Sequence, residues 1–205
     1  MGKLSIKLDN ELLKQQKAAA EQAQRERNAK ATADRAKKDF PNETWLGTND
    51  VKLNHVNLPK NLDGISIAKS KFPMNKDDEK TLLKEVKQAK ILADKGGIIN
   101  LIQKVRDSLG NYVHGPDAIV NGWYAEFKTV TGSLGKVERR FRESRVQSEN
   151  IFLKIDNKKL SKHDVINKIR HVLKDPEYTG GTKGNLIINL SQTKKTYFIR
   201  ITDLK

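Results

Sequence analysis

The chain has 205 residues, 36% hydrophobic, 6% aromatic and 32% charged, and its 40 Lys and Arg against 25 Asp and Glu leave a formal net charge of +15. Such a composition supplies one apolar core for part of the chain and a polar remainder. With no cysteine, disulfides and thiolate metal sites are excluded, and no window approaches the roughly 20 apolar residues of a membrane span.

The excess of positive charge points to a polyanionic partner. Lys and Arg displace condensed counterions from phosphates, and no strongly apolar amphipathic face accompanies them here, so nucleic acid is expected rather than a membrane. The first residues, Met1 to Lys14, hold no apolar stretch of the signal-peptide kind, and the cytoplasm is the expected place of action.

Residues 9–38 are rich in Ala, Gln, Lys, Arg and Glu and free of Gly and Pro, which predicts a helix. Beyond Leu12 and Leu13 its apolar residues are alanines, too small for a broad docking stripe. Residues 1–39 are therefore expected as a polar, basic helical extension that is solvated, docks weakly on a partner or forms only when bound, with a solvated face favoured over a phosphate-tracking one. Residues 40–77 carry three of the five prolines, with many Asn, Gly and Lys, and are expected as a loop-rich linker ending at a boundary between Phe72 and Asp78.

From Asp78 onward the pattern is regular. Residues 78–95 place Leu82, Val86, Ala89 and Ala93 on one helical face, begin with acidic side chains and run into Gly96-Gly97, as a helix should. Strands are expected at 98–105, 117–122 and 124–130, the last two joined at Asn121-Gly122, a dipeptide favoured in tight hairpins. A helix over 136–148, a strand over 150–155 and a helix following Ser161 as N-cap come next. Strands over 185–190 and 196–201 close the chain. The expected fold of 78–205 is an α/β sandwich.

Within that order, alternation along a strand sends Tyr124, Glu126 and Lys128 to one face and Ala125, Phe127 and Thr129 to the other. Asp117 begins the partner strand, and counting outward from the turn sets it across from Glu126. Two converging carboxylates repel each other unless a cation lies between them. Mg²⁺, or Mn²⁺ in its place, suits such a set, because it takes oxygen ligands while keeping waters and phosphate oxygens. Lys128 beside the ion could orient or deprotonate water, or neutralise charge developing on phosphorus. On the preceding helix, Glu85 lies at the edge of the apolar face, where its carboxylate can reach the strand layer; Glu79, in the first turn, is the weaker substitute. Against this stands the ordinary account of a solvated Glu–Lys pair and a turn aspartate.

Glu85 on a helix, Pro116-Asp117, Glu126-Phe127-Lys128, then a helix and a strand together resemble the PD-(D/E)XK nuclease superfamily. The resemblance implies a restriction-endonuclease-like αβββαβ core over 78–205, with Asp and Glu holding a divalent metal and Lys serving catalysis. More closely, residues 85–97, 116–132 and 144–155 are similar to the C-terminal toxin domains of contact-dependent growth inhibition proteins and related phage- or mobile-element-borne toxins. That similarity implies Glu85, Asp117, Glu126 and Lys128 as the site, with Gln147 supporting it from the next helix. It also implies transfer RNA as a substrate and a neutralising immunity protein as partner.

Arg139, Arg140, Arg142 and Arg145 lie on the helix after the proposed site and form a candidate phosphate rail, although Glu138, Glu143 and Glu149 offer them partners within the helix. Of the histidines, His114 is nearest Asp117 and is the one suited to acid–base work, against an ordinary loop role. His163 and His171 are eight apart, too far for a metal pair on one helix. Gly180-Gly181 reads as a flexible connection. Three functions remain open: a metal-dependent nuclease with RNA ahead of DNA, a metal-independent ribonuclease toxin, and a non-catalytic nucleic-acid-binding accessory of a mobile element.

Overall fold

A computed structural model describes residues 2–72, 74–103 and 115–205, and side chains from residue 10 onward. His114 and the far end of the strand expected over 98–105 lie outside the described residues. Among the described residues, four α-helices and eight strands make a mixed α/β fold, with one sheet whose spatial order follows the chain. The helices are α1 (Gly2–Asp39), α2 (Lys76–Ala93), α3 (Leu134–Gln147) and α4 (Lys162–Lys174). The strands are β1 (Trp45–Gly47), β2 (Ile65–Ala68), β3 (Ile99–Leu101), β4 (Ala118–Val120), β5 (Trp123–Val130), β6 (Asn150–Ile155), β7 (Asn185–Leu190) and β8 (Lys195–Arg200).

Local chemistry accounts for most of these elements. Asn75 accepts the N–H groups of Asp77 and Asp78 while Asp78 bonds back, a capping box that starts α2 two residues ahead of the expected position. The helix ends where the Gly97 N–H reaches the Leu92 carbonyl and Gly96 takes φ +81°. Ser161 and Asp164 form a second capping box on α4. Asn121 (φ 51°) and Gly122 (φ 86°) turn β4 into β5, as that dipeptide does in tight hairpins.

β2, β3, β5, β6 and β7 run parallel, while β1, β4 and β8 are antiparallel to their neighbours. Each sheet face has its own helix layer. On one, Leu82, Val86, Ala89 and Leu92 of α2 pack against Ile67, Leu101, Ala125 and Phe127. On the other, Val137 and Phe141 of α3 and Val165, Ile169 and Val172 of α4 pack against Ile151, Leu153, Leu186 and Ile188. The two layers sort β5 by parity, and Glu126 and Lys128, opposite Ile151 and Leu153 in register, fall on the α3 side.

Two expectations are corrected. The stretch over 40–77 is not simply a linker: it supplies β1 and β2, and β2 pairs with β3 across the expected domain boundary. The far half of α1 is not a solvated extension either. Thr32 and Ala36 are buried, the Gly122 N–H donates to Thr32 Oγ1 at 3.1 Å, Arg35 Nε donates to the Gly122 carbonyl, and the Tyr124 hydroxyl donates to Asp39 at 2.7 Å. A Cβ on Gly122 would stand 2.9 Å from that of Ala31. The alanines that leave α1 without a broad apolar stripe are what allow its backbone to approach the hairpin so closely.

Candidate active site

Asp117 sits one residue before β4, where the pairing leaves the ladder. Its N–H donates to the Ala125 carbonyl, its own carbonyl accepts from Ile102 N–H, and its carboxylate accepts the Phe127 N–H at 2.8 Å. The β4–β5 ladder ends at Ala118↔Ala125, and the bond from the Phe127 N–H to the Asp117 carboxylate sets that side chain beside the Glu126–Phe127 segment of β5. Asp117 and Glu126 are buried, at 4% and 0% exposure, and Lys128 forms an ion pair with Glu126 Oε1. Glu126 and Lys128 fall in the middle of β5, level with Ile151 and Leu153 of β6, with Asp117 beside them at the open end of the hairpin. Burial of charge at this density demands compensation, and the Lys128 ammonium provides it for Glu126.

Glu85 approaches the sheet from the other layer. It is buried and ion-paired with Lys71 at 2.9 Å, just beyond β2. Gln88, one turn later, donates to Thr129 Oγ1 and ties α2 to β5. Among the described residues, no group of three or more His, Cys, Asp or Glu side chains is arranged to hold a metal ion. Glu85 belongs to the α2 layer, whereas strand parity puts Glu126 on the α3 side of the sheet. Asp117 with Glu126 still makes an all-oxygen pair of the kind Mg²⁺ takes together with waters and substrate phosphates. Lys71 went unnoticed in the sequence; it belongs to no motif, and only the placement of α2 brings it to Glu85.

The arginines of α3 divide into two kinds. Arg139 and Arg140 are solvent-accessible and pair with Glu143 at 3.5 and 2.8 Å. Arg142 is held between Glu138 and Asp175 and lies over the Tyr178 ring. Its bond to Asp175 keeps that carboxyl below the usual carboxylate range. Arg145 is only 8% exposed and donates to the carbonyls of Gly181 and Glu149. Of the four arginines of the expected rail, Arg145 is buried against the Gly180-Gly181 loop and Arg142 is partly exposed but engaged by Glu138 and Asp175, while Arg139 and Arg140 pair within the helix. The same clamp means Gly180-Gly181 is not simply a flexible connection. Gln147 donates to the Glu143 carbonyl and lines a cavity between α1 and α3.

The remaining candidates have structural employment. Glu79 is buried and accepts the N–H groups of Asn54 and His55, pinning the loop between β1 and β2. His55 Nδ1 lies 3.2 Å from the same carboxylate, and His163 sits beside Asn167 on α4. No helix among the described residues is long and apolar enough to cross a membrane.

With this geometry in view, the chain was compared with known proteins. The family model of the contact-dependent growth inhibition CdiA C-terminal domain matches residues 114–193. A similar solved structure is the CdiA-CT/CdiI toxin and immunity complex from Burkholderia pseudomallei, at 16% sequence identity and a TM-score of 0.45, covering 73% of this chain and 97% of that one. No curated protein matches the chain. The segment similar to the CdiA C-terminal domain is thus the one that carries Asp117, Glu126, Lys128 and all of α3, while α1, Lys71 and Glu85 lie outside it.

Proposed function

We propose that the protein is a toxin of the growth-inhibition kind that hydrolyses phosphodiester bonds, RNA ahead of DNA and transfer RNA foremost, through a PD-(D/E)XK-type site. The observation that carries this reading is the buried Glu126–Lys128 ion pair next to the buried Asp117 carboxylate, which accepts the Phe127 N–H from the same strand. Such an arrangement costs several kcal/mol in desolvation, and a fold has little reason to keep it except to act on charge. The αβββαβ order of α2 to β6, the net charge of +15 and the family match over 114–193 support the same reading.

In this site Asp117 and Glu126 would hold a divalent cation, Mg²⁺ or Mn²⁺. When bound, that ion polarises the scissile phosphate and makes its water more acidic. The Asp117 carboxylate is oriented by the Phe127 N–H. The Lys128 ammonium balances Glu126 and faces the place where negative charge grows as water adds to phosphorus and the ester P–O bond breaks. Glu85 and Lys71 flank the site from the α2 layer. Arg139 and Arg140 are the α3 side chains placed to meet phosphates. A cell making this enzyme requires a neutralising immunity protein, and a small acidic product of the neighbouring gene fits a basic toxin.

The test is direct. Purified protein is incubated with transfer RNA and with plasmid DNA, in Mg²⁺ and in chelator. Cleavage of RNA that disappears with chelator and with Glu126→Gln is expected. Cleavage that survives chelator selects a metal-independent ribonuclease instead, and retarded but intact nucleic acid selects a binding accessory.

A further inference from the structure

At the end of the sheet where β5 begins, a cavity of about 530 Å³ opens between α1 and the carboxyl end of α3, with Tyr124 from the Glu126 face and Trp123 at the strand's first position in its wall. Its apolar lining includes Trp123, Tyr124, Ile102, Pro116 and Val146, with Arg35 and Gln147 at the polar edge. Trp123 is 62% exposed and Val146 80%, unusual for large apolar side chains that merely fill space. The Arg35 guanidinium carbon lies over the Tyr124 ring, 5.1 Å from its centroid, and Arg35 is itself held by the Gly122 carbonyl and Asp39.

Position connects this cavity to the chemistry. Pro116 in its wall adjoins Asp117, and Tyr124 precedes Glu126 by two residues on one strand face, about 7 Å away given the rise of a strand. An apolar cavity walled by Trp123 and Tyr124, with the Arg35 guanidinium and the Gln147 amide at its edge, suits a planar heteroaromatic ring, and a protein of charge +15 draws such rings in on a phosphate backbone.

We infer that this cavity is a nucleobase subsite: an unpaired base next to the scissile phosphate stacks on Trp123 and enters between α1 and α3. The inference rests on the nuclease reading for its substrate, but its test does not require cleavage. It also gives α1 a functional role, since Arg35 forms one wall. The subsite favours single-stranded or looped substrate, because a base held in a duplex cannot leave its stack to enter.

The experiment is a binding titration in chelator, with the full chain carrying Trp45→Phe so that Trp123 is the sole tryptophan. Oligouridylate and oligoadenylate are compared with an abasic oligonucleotide of equal length and charge. The base-containing strands should quench Trp123 fluorescence and bind more tightly than the abasic strand. Trp123→Ala should weaken their binding roughly 5- to 150-fold, the worth of one base–aromatic stack, with Trp123→Phe recovering most of it and the salt dependence unchanged. Equal binding of the abasic strand, or full affinity in Trp123→Ala, would overturn the subsite. Cleavage in Mg²⁺ is scored separately: cleavage with no effect of Trp123 leaves the nuclease and removes the subsite, whereas quenching without cleavage does the reverse.

Discussion

The carboxylate of Asp117 accepts the backbone N–H of Phe127 at 2.8 Å, so the side chain expected to hold a metal also completes the hydrogen bonding of β5. The two duties separate by substitution. Asp117→Asn keeps an oxygen for that N–H and discards the charge, and should lower cleavage by about 100-fold or more with little change in Tm. Asp117→Ala should lower activity equally and cost about 1–3 kcal/mol besides, because a buried donor is orphaned. Cleavage rates and thermal melts of both variants decide it; an Asn variant with wild-type activity would remove Asp117 from the chemistry.

Lys128→Met takes from Glu126 the ammonium it is paired with. Activity should be lost, and stability should fall by about 1–3 kcal/mol, less than for a fully enclosed pair since Lys128 retains some contact with solvent. The double variant Glu126→Gln with Lys128→Met should be more stable than the two single effects added together. Denaturant unfolding of the four proteins measures this coupling, and strict additivity would mean the ion pair contributes nothing.

Gly122→Ala should undock α1. Gly122 has φ +86°, and an added Cβ would stand 2.9 Å from Ala31 Cβ and 3.0 Å from the Ala31 carbonyl oxygen, so backbone on one side must move. Amide hydrogen exchange across residues 28–39 should accelerate, by about 1–3 kcal/mol of lost protection, while the amides of β5 to β7 remain slow.

The α1 dock should also respond to pH at both extremes. A hydrogen bond from Tyr124, aided by Arg35, holds the Asp39 carboxyl below its ordinary value of 3.8. This stabilisation is present above that value and is lost as pH falls through the lower folded one. Burial, with the Asp39 carboxylate adding to it, pushes the Tyr124 hydroxyl up to about 12. That contribution is complete below the ordinary value of 10.0 and disappears as pH rises through about 12. Phenolate absorbance should show Tyr124 titrating late, and Asp39→Asn should bring its titration down only part of the way, because burial is the larger cause and remains.

Arg140→Ala and Arg145→Ala should differ in kind. The first should leave Tm almost unchanged and weaken RNA binding, reducing the salt slope by roughly 0.7 to 0.9 for one lost phosphate contact. The second should lower Tm, because the Gly181 and Glu149 carbonyls lose their donor. Indistinguishable salt slopes for wild type and Arg140→Ala would take Arg140 out of the interface.

What could be read directly from the residues is what short-range chemistry dictates. Asn121-Gly122 specifies a tight turn, Asn75 and Ser161 specify helix starts, and alternation along residues 123–130 sets Glu126 and Lys128 on one face; these hold because caps, turns and strand parity involve neighbours within a few positions. The turn also brings Asp117 back to β5, where its carboxylate meets the Phe127 N–H.

The remainder depended on which layer covers which face. β1 and β2 are too short to announce themselves and are strands because β3 provides a paired edge. α1 docks through alanines and a hydroxyl, which carry almost no hydrophobic signal and act by permitting close approach. Glu85 is held by Lys71 in the α2 layer, and Arg142 and Arg145 are taken by partners outside their helix, because the position of a helix over a sheet is chosen by packing of the whole core. Periodicity says that a side chain has a partner surface; only the assembled layers say whether that surface is a carbonyl, an ion pair or an open cavity.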